Sequence, residues 1–315
     1  FNADQLREAF AHAQAVLNGP RHNEPVADRP HMTAAIIGAR GGVGASTIAA
    51  SLAWLFSDSQ KRSTALLDLD VHFGTGALSL DLEPGRGLTD AIENPGRIDG
   101  LFIERAMVRA NDKLSVLSAE APMSQPLLSD GGAFYQLQEE MRAAFECTVI
   151  DLPRHMVIQH PHLMNEIQSV VVVSELTLVG ARDVIRILSW LKANAPHSNV
   201  LVALNRVGPN GTTELTKKDF ESSIERKVDF VIPFDSKVVC QAAKLGKPVA
   251  EVGKTSKVGL ELQAIGTRLL LTADGGDESG EVAASKAGKS VSLADKIGSL
   301  RSLLPSKKAK ADQVA

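Results

Sequence analysis

Residues 38–47 form the sequence GARGGVGAST, which stands between a short aliphatic run and a helical pattern. Glycine occupies positions 38, 41, 42 and 44, and glycine lets the backbone take positive φ angles and approach a ligand closely. Successive backbone N–H groups that end at a helix N-terminus form a site for anions. The stretch therefore predicts a phosphate-binding loop, although glycine-rich turns also serve tight packing of a strand against a helix.

Short aliphatic runs alternate with helical patterns on both sides of this loop. The runs are apolar at most positions, which is typical of strands that crossover helices bury on both faces. Segments 46–56, 183–194 and 259–271 have helical periodicity. Repeated strand–helix units predict an α/β fold with a doubly wound, mainly parallel sheet and helices on both faces. The runs predicted as strands are TAAIIG (33–38), STALLDLD (63–70), KLSVLS (113–118), CTVIDLP (147–153), SVVVVS (169–174), NVLVALN (199–205) and VDFVIP (228–233).

The composition divides the chain into three segments. Residues 1–32 combine one amphipathic helix with a linker rich in proline and polar residues, and residues 33–272 form the predicted α/β domain. Residues 273–315 are rich in Gly, Ser, Ala and Lys, which predicts a flexible tail. Within this tail, LADKIGSLRSLL (293–304) places leucine and isoleucine on one helical face. A short helix that contacts a partner or an anionic membrane is therefore an alternative to a disordered tail.

Composition excludes several classes of protein. The chain has 315 residues, of which 44% are apolar and 4% aromatic, and its formal net charge is −3. This balance argues against a wholly basic nucleic-acid binder and against an aromatic platform for single strands. The cysteines, Cys147 and Cys240, form no zinc-type spacing. With no apolar run long enough to span a bilayer and no visible signal peptide, we expect a cytosolic protein.

The loop matches most of the general P-loop motif, GxxxxGK followed by Ser or Thr. Gly38, Gly44 and Ser46 fit the motif, but Ala45 occupies the lysine position. Ser46 stands where a P-loop hydroxyl coordinates Mg²⁺, and Thr47 is placed to donate to an α-phosphate. The backbone of the remaining loop residues is expected to surround the phosphates; these are Gly41, Gly42, Val43, Gly44 and Ala45.

GARGGVGAST resembles the deviant Walker A motif, KGGxGK followed by Ser or Thr, of the ParA/MinD family of dimerising ATPases. In that family, a signature lysine at the start of the loop reaches the nucleotide across the dimer interface. Here Arg40 stands at the signature position and Ala45 at the second lysine position, so both lysines are absent. Arg40 keeps a positive charge whose planar fork can still pair with phosphate oxygens, so it is a candidate nucleotide-binding residue. The resemblance implies ATP or ADP with Mg²⁺ as ligands. Because a P-loop lysine stabilises the transition state of phosphoryl transfer, we expect binding to survive and hydrolysis to be slow or absent.

Carboxylates follow two of the predicted strands. Asp68 and Asp70 end STALLDLD, and Asp151 ends the buried run in CTVIDLPRH. Asp70 resembles the family's switch I aspartate, which orients the attacking water or assists Mg²⁺, and Asp151 resembles the Walker B aspartate, which holds Mg²⁺ through water. Each can instead be a turn or helix-capping residue, and that interpretation is favoured for Asp68. Asp70 and Asp151 are therefore the candidate catalytic residues and, with Ser46, the candidate Mg²⁺ ligands.

Two later segments resemble the family's base-binding elements, and the match covers about residues 33–272. VALNR (202–206) resembles the strand end whose asparagine, here Asn205, contacts the adenine edge, with Arg206 beside it. A strand-terminal asparagine is more often a turn residue. VIPFDSKVVCQAAKLGKPVAEV (231–252) resembles the loop that flanks the base, and its expected contacts are Pro233, Phe234 and Asp235.

Within the family, the chain is most similar to the CpaE/TadZ branch, which serves assembly and polar localisation of tight-adherence (Flp) pili. Three features support this: the loop RGGVGAST, the sequence DLDVHFGTGALSLDL, and the linker before the α/β domain. Members carry a receiver-like domain before that linker, so we expect residues 1–32 to follow a missing domain. The branch implies a cytoplasmic homodimer that contacts pilus assembly or secretion proteins at the inner membrane of a cell pole, with peripheral membrane contact through the tail.

Two other functions are alternatives. A DNA- or cargo-partitioning ParA-type ATPase that contacts DNA would need a cluster of basic residues, and only small groups stand at Lys217–Lys218 and Arg226–Lys227. No specific nucleic acid is expected. A metabolic or metal-inserting P-loop enzyme would need extra ligands, for which the local histidines are His155, His160 and His162.

Overall fold

The structure is a computed structural model that describes residues 30–124, 131–209 and 213–275. The predicted N-terminal helix and nearly all of the linker lie outside these residues. The same is true of the tail beyond residue 275, including its predicted amphipathic helix.

The described residues form one eight-stranded sheet with the order β3-β4-β2-β5-β1-β6-β7-β8. Neighbouring strands are parallel, except that β3 and β4 are antiparallel. This confirms the predicted doubly wound, mainly parallel α/β fold. The strands are β1 Met32–Gly38, β2 Thr64–Asp68, β3 Val108–Asn111, β4 Leu114–Leu117, β5 Cys147–Asp151, β6 Ser169–Ser174, β7 Asn199–Val207 and β8 Phe230–Pro233.

All seven predicted runs form strands, and two details differ from the prediction. The strand β2 ends at Asp68, so Asp70 lies in the following turn rather than at the strand end. The edge strand β3 has no counterpart among the predicted runs. Its sequence VRAN is short, and its residues alternate between half-buried and exposed, so it lacks the continuous apolar run that marked the central strands.

Helices cover both faces of the sheet. Along β1, Ala35 and Ile37 pack on one face while Ala34 and Ile36 pack on the other, as the two-residue repeat of a strand requires. Within the described residues no helix is both long enough and apolar enough to cross a membrane. The helices are α1 Ala45–Trp54, α2 Gly87–Glu93, α3 Gly100–Ala106, α4 Gly132–Ala144, α5 Arg154–Gln159, α6 Leu178–Asn194, α7 Lys217–Ile224, α8 Ser236–Leu245, α9 Val249–Val252 and α10 Lys257–Ala273.

Strand register brings the predicted site residues to one edge of the sheet. Ile36 of β1 pairs with Asp151 of β5, and Asp151 also pairs with Asp68 of β2. The loop that follows Gly38 therefore starts beside both carboxylates. Because the carboxyl ends of parallel strands meet at this edge, it is the place where open α/β sheets bind ligands.

Candidate functional site

The glycine-rich loop joins β1 to α1 and leaves the helix without a side-chain cap. Gly44 is the N-cap residue of α1, with φ 91° and ψ 21°, and Gly42 has φ 80°. Within the part of the chain that the structure describes, the backbone N–H groups of residues 41–47 donate no hydrogen bond to the protein. A Cβ at Gly42 would point into open space. The loop thus presents a set of N–H donors at a helix N-terminus, the geometry that binds anions.

Asn205, at the end of β7, fixes the conformation of this loop. Its Nδ2 donates to the carbonyl oxygen of Val43 at 2.8 Å, and its Oδ1 accepts from the backbone N–H of Arg206 at 2.9 Å. A Cβ on Gly44 would overlap the Asn205 amide. The sequence predicts that Asn205 contacts a base; in the structure its amide nitrogen is bonded to the loop itself.

A cleft of about 490 Å³ extends from the loop across the carboxyl edge of the sheet. It brings together Arg40, the loop from Gly41 to Thr47, Asp70, Asp151 and Arg206, all of which the sequence predicts as site residues. Arg154 and His155, which directly follow the sequence Asp-Leu-Pro, also line it. Arg154 was not predicted from the sequence, and His155 was named only for the metal-enzyme alternative. Basic groups therefore line a cleft that also contains two candidate metal-binding carboxylates.

Asp151 is buried beside the loop, and its surroundings disfavour its charge. Burial raises the pKa of Asp151 to about 7, and the nearby carboxylates of Asp68 and Asp70 add to this effect, whereas a hydrogen bond from the Ser46 side chain opposes it. Ser46 and Asp151 are thus close enough to interact. A cation placed between them would favour the ionised carboxylate.

Asp68 and Asp70 shape the turn after β2. Asp68 is fully buried; its Oδ1 accepts from the N–H of Asp70 at 3.1 Å and its Oδ2 accepts from that of Gly76 at 2.8 Å. Burial raises its pKa, while these backbone hydrogen bonds oppose the change. Asp70 Oδ1 accepts from the N–H of Phe73 at 3.0 Å, yet Asp70 also lines the cleft. Asp68 is therefore a turn-forming residue, whereas Asp70 lies where a ligand or metal can reach it.

A second, more apolar cavity of about 300 Å³ adjoins the helix end of the loop. It is lined by Asn205, Arg206, Pro233, Phe234 and Asp235, together with aliphatic residues of α1, α9 and α10. Asp235 also caps α8, because its Oδ1 accepts from the N–H of Val238 at 3.1 Å. The structure therefore gathers all five predicted base-contacting residues around one cavity.

Three arginines, of which Arg40 and Arg154 line the cleft, surround the buried carboxylate of Asp183. Arg40 Nη1 donates to Asp183 Oδ2 at 2.9 Å, and Arg182 Nη2 donates to Asp183 Oδ1 at 2.9 Å. Arg154 Nη1 lies 3.9 Å from Asp183 and donates to the carbonyl oxygen of Ala39 at 2.7 Å. Asp183 was not predicted from the sequence, because its partner Arg40 is 143 residues away along the chain.

Of the three histidines of the metal-enzyme alternative, His160 and His162 make contacts within the fold, whereas His155 is exposed and lines the cleft. His162 Nε2 contacts the carbonyl oxygen of Gly131 at 3.1 Å, and the ring of His160 packs on those of Phe134 and His162. Among the described residues, no group of three or more His, Cys, Asp or Glu side chains is arranged to hold a metal ion.

The sheet topology and the glycine loop between β1 and α1 define a P-loop type of α/β domain. Residues 34–249 match the model of the CobQ/CobB/MinD/ParA nucleotide binding domain. Since the match spans most of the chain, the chain belongs to this family. The similarity to the ParA/MinD group, predicted from the loop, is thereby confirmed at family level, whereas membership of the CpaE/TadZ branch stays a prediction.

Individual proteins are similar to this chain in sequence or in fold. An uncharacterized ATP-binding protein of Methanocaldococcus jannaschii is 24% identical over 201 residues, which cover 63% of this chain and 72% of that protein. The crystal structure of a ParA family ATPase from Chlorobium tepidum superposes with a TM-score of 0.68 at 18% identity, covering 76% of this chain and 98% of the other. The septum site-determining protein MinD of Pyrococcus horikoshii, complexed with Mg-ADP, gives 0.60 at 17% identity and covers 81% and 100%.

Proposed function

We propose that this chain binds ATP or ADP together with Mg²⁺ in the cleft around the glycine-rich loop. The observation that carries the proposal is the set of loop N–H groups without a protein acceptor at the start of α1. These groups fit a polyphosphate, which needs several donors at close range. The description of the Methanocaldococcus protein as ATP-binding and the Mg-ADP complex of the Pyrococcus protein support the same ligands.

Different residues around the cleft would bind the phosphates, the base and Mg²⁺. Backbone N–H groups of Gly41 to Thr47 would hold the phosphates, and Asn205, Arg206 and the segment from Pro233 to Asp235 would surround the base. Ser46, Asp70 and Asp151 would hold Mg²⁺, the carboxylates partly through water. When bound, the ion neutralises phosphate charge, and it would also offset the cost of ionising the buried Asp151.

A matched pair of variants tests the Mg²⁺ part of this assignment. Ser46→Ala removes the hydroxyl next to Asp151, whereas Ser59→Ala makes the same change at an exposed position. We expect Mg²⁺ to raise ATP affinity in the wild type and in Ser59→Ala, and to raise it far less in Ser46→Ala. Equal Mg²⁺ dependence in all three proteins, measured by calorimetry, would contradict the role of Ser46.

We also propose that hydrolysis is weak or absent, and Asp70 and Asp151 would take part in any residual turnover. Ala45 offers no side-chain cation to a transferring phosphoryl group, and Arg40 is paired with Asp183 within the chain. A protein that binds nucleotide without fast turnover suits a localisation scaffold better than a motor.

The cellular role we propose is assembly and polar localisation of Flp-type pili, with the chain acting as a nucleotide-dependent homodimer that contacts pilus assembly proteins at the inner membrane. This part rests on the resemblance of the loop and of DLDVHFGTGALSLDL to the CpaE/TadZ branch. Deletion of the gene should abolish surface pili, and expression of Ser59→Ala, but not Ser46→Ala, should restore them. Normal pili in the deletion strain would refute the role.

A DNA-partitioning function is compatible with the family, but the charges disfavour it. Three of the four basic residues predicted from the sequence lie near acids: Lys227 Nζ is 3.2 Å from Glu221, Lys217 Nζ is 3.8 Å from the same residue, and Arg226 Nη2 is 3.3 Å from Asp229. Glu221 and Asp229 thus offset part of the positive charge that a phosphate backbone would contact. Retention on nonspecific duplex DNA that requires ATP and decreases with salt would instead favour partitioning.

A further inference from the structure

The base cavity and the adjoining cleft define a direction for a bound nucleotide. The base cavity and the cleft share Gly44, Thr47 and Arg206, which lie at the helix end of the loop. The cleft, unlike the base cavity, is also lined by Arg40 at the start of the loop and by Arg154 and His155. A nucleotide whose base occupies the apolar cavity would therefore extend its phosphates along the loop, away from that cavity and toward Arg40 and Arg154.

The loop itself supplies no side-chain cation for that phosphate. Position 45 is alanine, and the guanidinium of Arg40 is 2.9 Å from the Asp183 carboxylate. Arg154 is held less firmly, because its hydrogen bond goes to the neutral carbonyl of Ala39 and its distance to Asp183 is 3.9 Å. Both contacts use Nη1, and a guanidinium has five N–H donors. Among the described residues, neither Nη2 nor Nε forms a hydrogen bond or ion pair, and Arg154 is one of the residues that line the cleft.

The position of Arg154 in the sequence also favours a contact between its guanidinium and the terminal phosphate. It is the first residue of α5 and follows β5, whose last residue is Asp151. A short rigid connection through Leu152 and Pro153 therefore links the guanidinium to a candidate Mg²⁺ ligand. Its side chain is about half exposed, at 49%, so that it can reach a ligand in the cleft without unfolding the segment.

We propose that Arg154 binds the terminal phosphate of the nucleotide and thereby makes the site prefer a triphosphate to a diphosphate. The inference rests on the proposed nucleotide binding. An arginine that forms charge-assisted hydrogen bonds with a phosphate contributes affinity that a diphosphate, lacking that group, does not gain. Loss of one such interaction corresponds to a roughly tenfold loss of affinity.

The test compares the ratio of ATP to ADP affinity in the full chain with Mg²⁺ present. Arg154→Ala should lower this ratio roughly tenfold, mainly through weaker ATP binding. Arg182→Ala is the matched control, since Arg182 pairs with the same Asp183 but does not line the phosphate cleft; its ratio should equal that of the wild type. Arg154→Gln keeps most of the apolar stem and should behave as Arg154→Ala, which covers the case that the alanine variant does not fold.

The outcomes separate this inference from the proposed function. If the wild type binds both nucleotides and folded Arg154 variants keep the wild-type ratio, the inference is wrong and nucleotide binding stands. An equal fall in the ratio in Arg182→Ala would also overturn it, because the effect would then come from the Asp183 cluster in general. If the folded wild type binds neither nucleotide, the proposed function fails.

Discussion

Replacement of Asp151 by asparagine should stabilise the nucleotide-free protein at pH 8. The pKa of Asp151 is raised from 3.8 to about 7 in the folded protein, chiefly by burial. Above that pH the folded protein holds a buried, ionised carboxylate, which the unfolded chain exposes to water at no such cost. The neutral amide of an asparagine would avoid this cost while leaving the volume of the side chain almost unchanged.

The magnitude and the sign of this change in stability follow from the pKa values of Asp151 in the unfolded and folded states. A difference of about 3 pKa units corresponds to about 4 kcal/mol, which is the upper value expected for the gain at pH 8. Because the folded state binds its proton more tightly than the unfolded chain, the penalty is absent below about pH 4, grows between about pH 4 and 7, and is complete above about pH 7. The free energy of unfolding of the wild type should fall across this range, and Asp68, whose pKa is also raised, contributes in the same direction.

Urea unfolding in the presence of a chelator, at pH 4.5, 6 and 8, measures this effect. The free energy of unfolding of Asp151→Asn should exceed that of the wild type most at pH 8 and least at pH 4.5. Asp112→Asn makes the same change in an exposed turn and should follow the wild type at every pH. The reasoning is refuted if folded Asp151→Asn is no more stable than the wild type at pH 8.

Three further changes test other parts of the structure. Gly44→Ala should lower the free energy of unfolding by about 1 kcal/mol or more and weaken ATP binding, because φ is 91° and the new Cβ would overlap the Asn205 amide. Gly41→Ala is the control, since its Cβ would meet no atom within 4 Å, and its stability in urea should be nearly that of the wild type. Equal stability of the two variants would contradict this reasoning. Ala45→Lys restores the missing P-loop lysine and should raise turnover roughly tenfold or more in a phosphate-release assay; an unchanged rate would show that other features limit hydrolysis. Phe56→Ala should lower the free energy of unfolding by about 3–5 kcal/mol, since this side chain is fully buried between α1 and α10; a loss below about 1 kcal/mol would contradict that packing.

The fold was predictable because its central strands have an unusually simple signature. SVVVVS (169–174) and its neighbours are apolar at nearly every position, as strands with helices on both faces must be. Sequence patterns are less informative at the edges of the sheet and at the ends of strands. VRAN of β3 carries no such run, and β2 ends at Asp68 because that carboxylate accepts the N–H groups that shape the next turn.

Some residues of the site could be predicted from short stretches of sequence, whereas other contacts depend on residues far apart along the chain. The loop, Ser46 and Asp151 could be predicted, since glycine spacing and strand-end carboxylates are visible within short stretches, and parallel register then places them together. The bond from Asn205 to Val43 and the Arg40–Asp183 ion pair join residues 162 and 143 positions apart. No local pattern encodes these contacts, because they depend on how helices and loops pack across the whole sheet. Arg154 could have been noticed, as a charged residue directly after the strand-end Asp-Leu-Pro.

The most direct test of the account is calorimetric titration of the folded chain with ATP in the presence of Mg²⁺, with phosphate release measured on the same sample. We expect saturable binding to one site per chain, reduced by Ser46→Ala, and little or no release of phosphate. Absence of binding by ATP and ADP alike, in a protein whose fold is intact, would contradict the central claim that the loop N–H groups hold a polyphosphate.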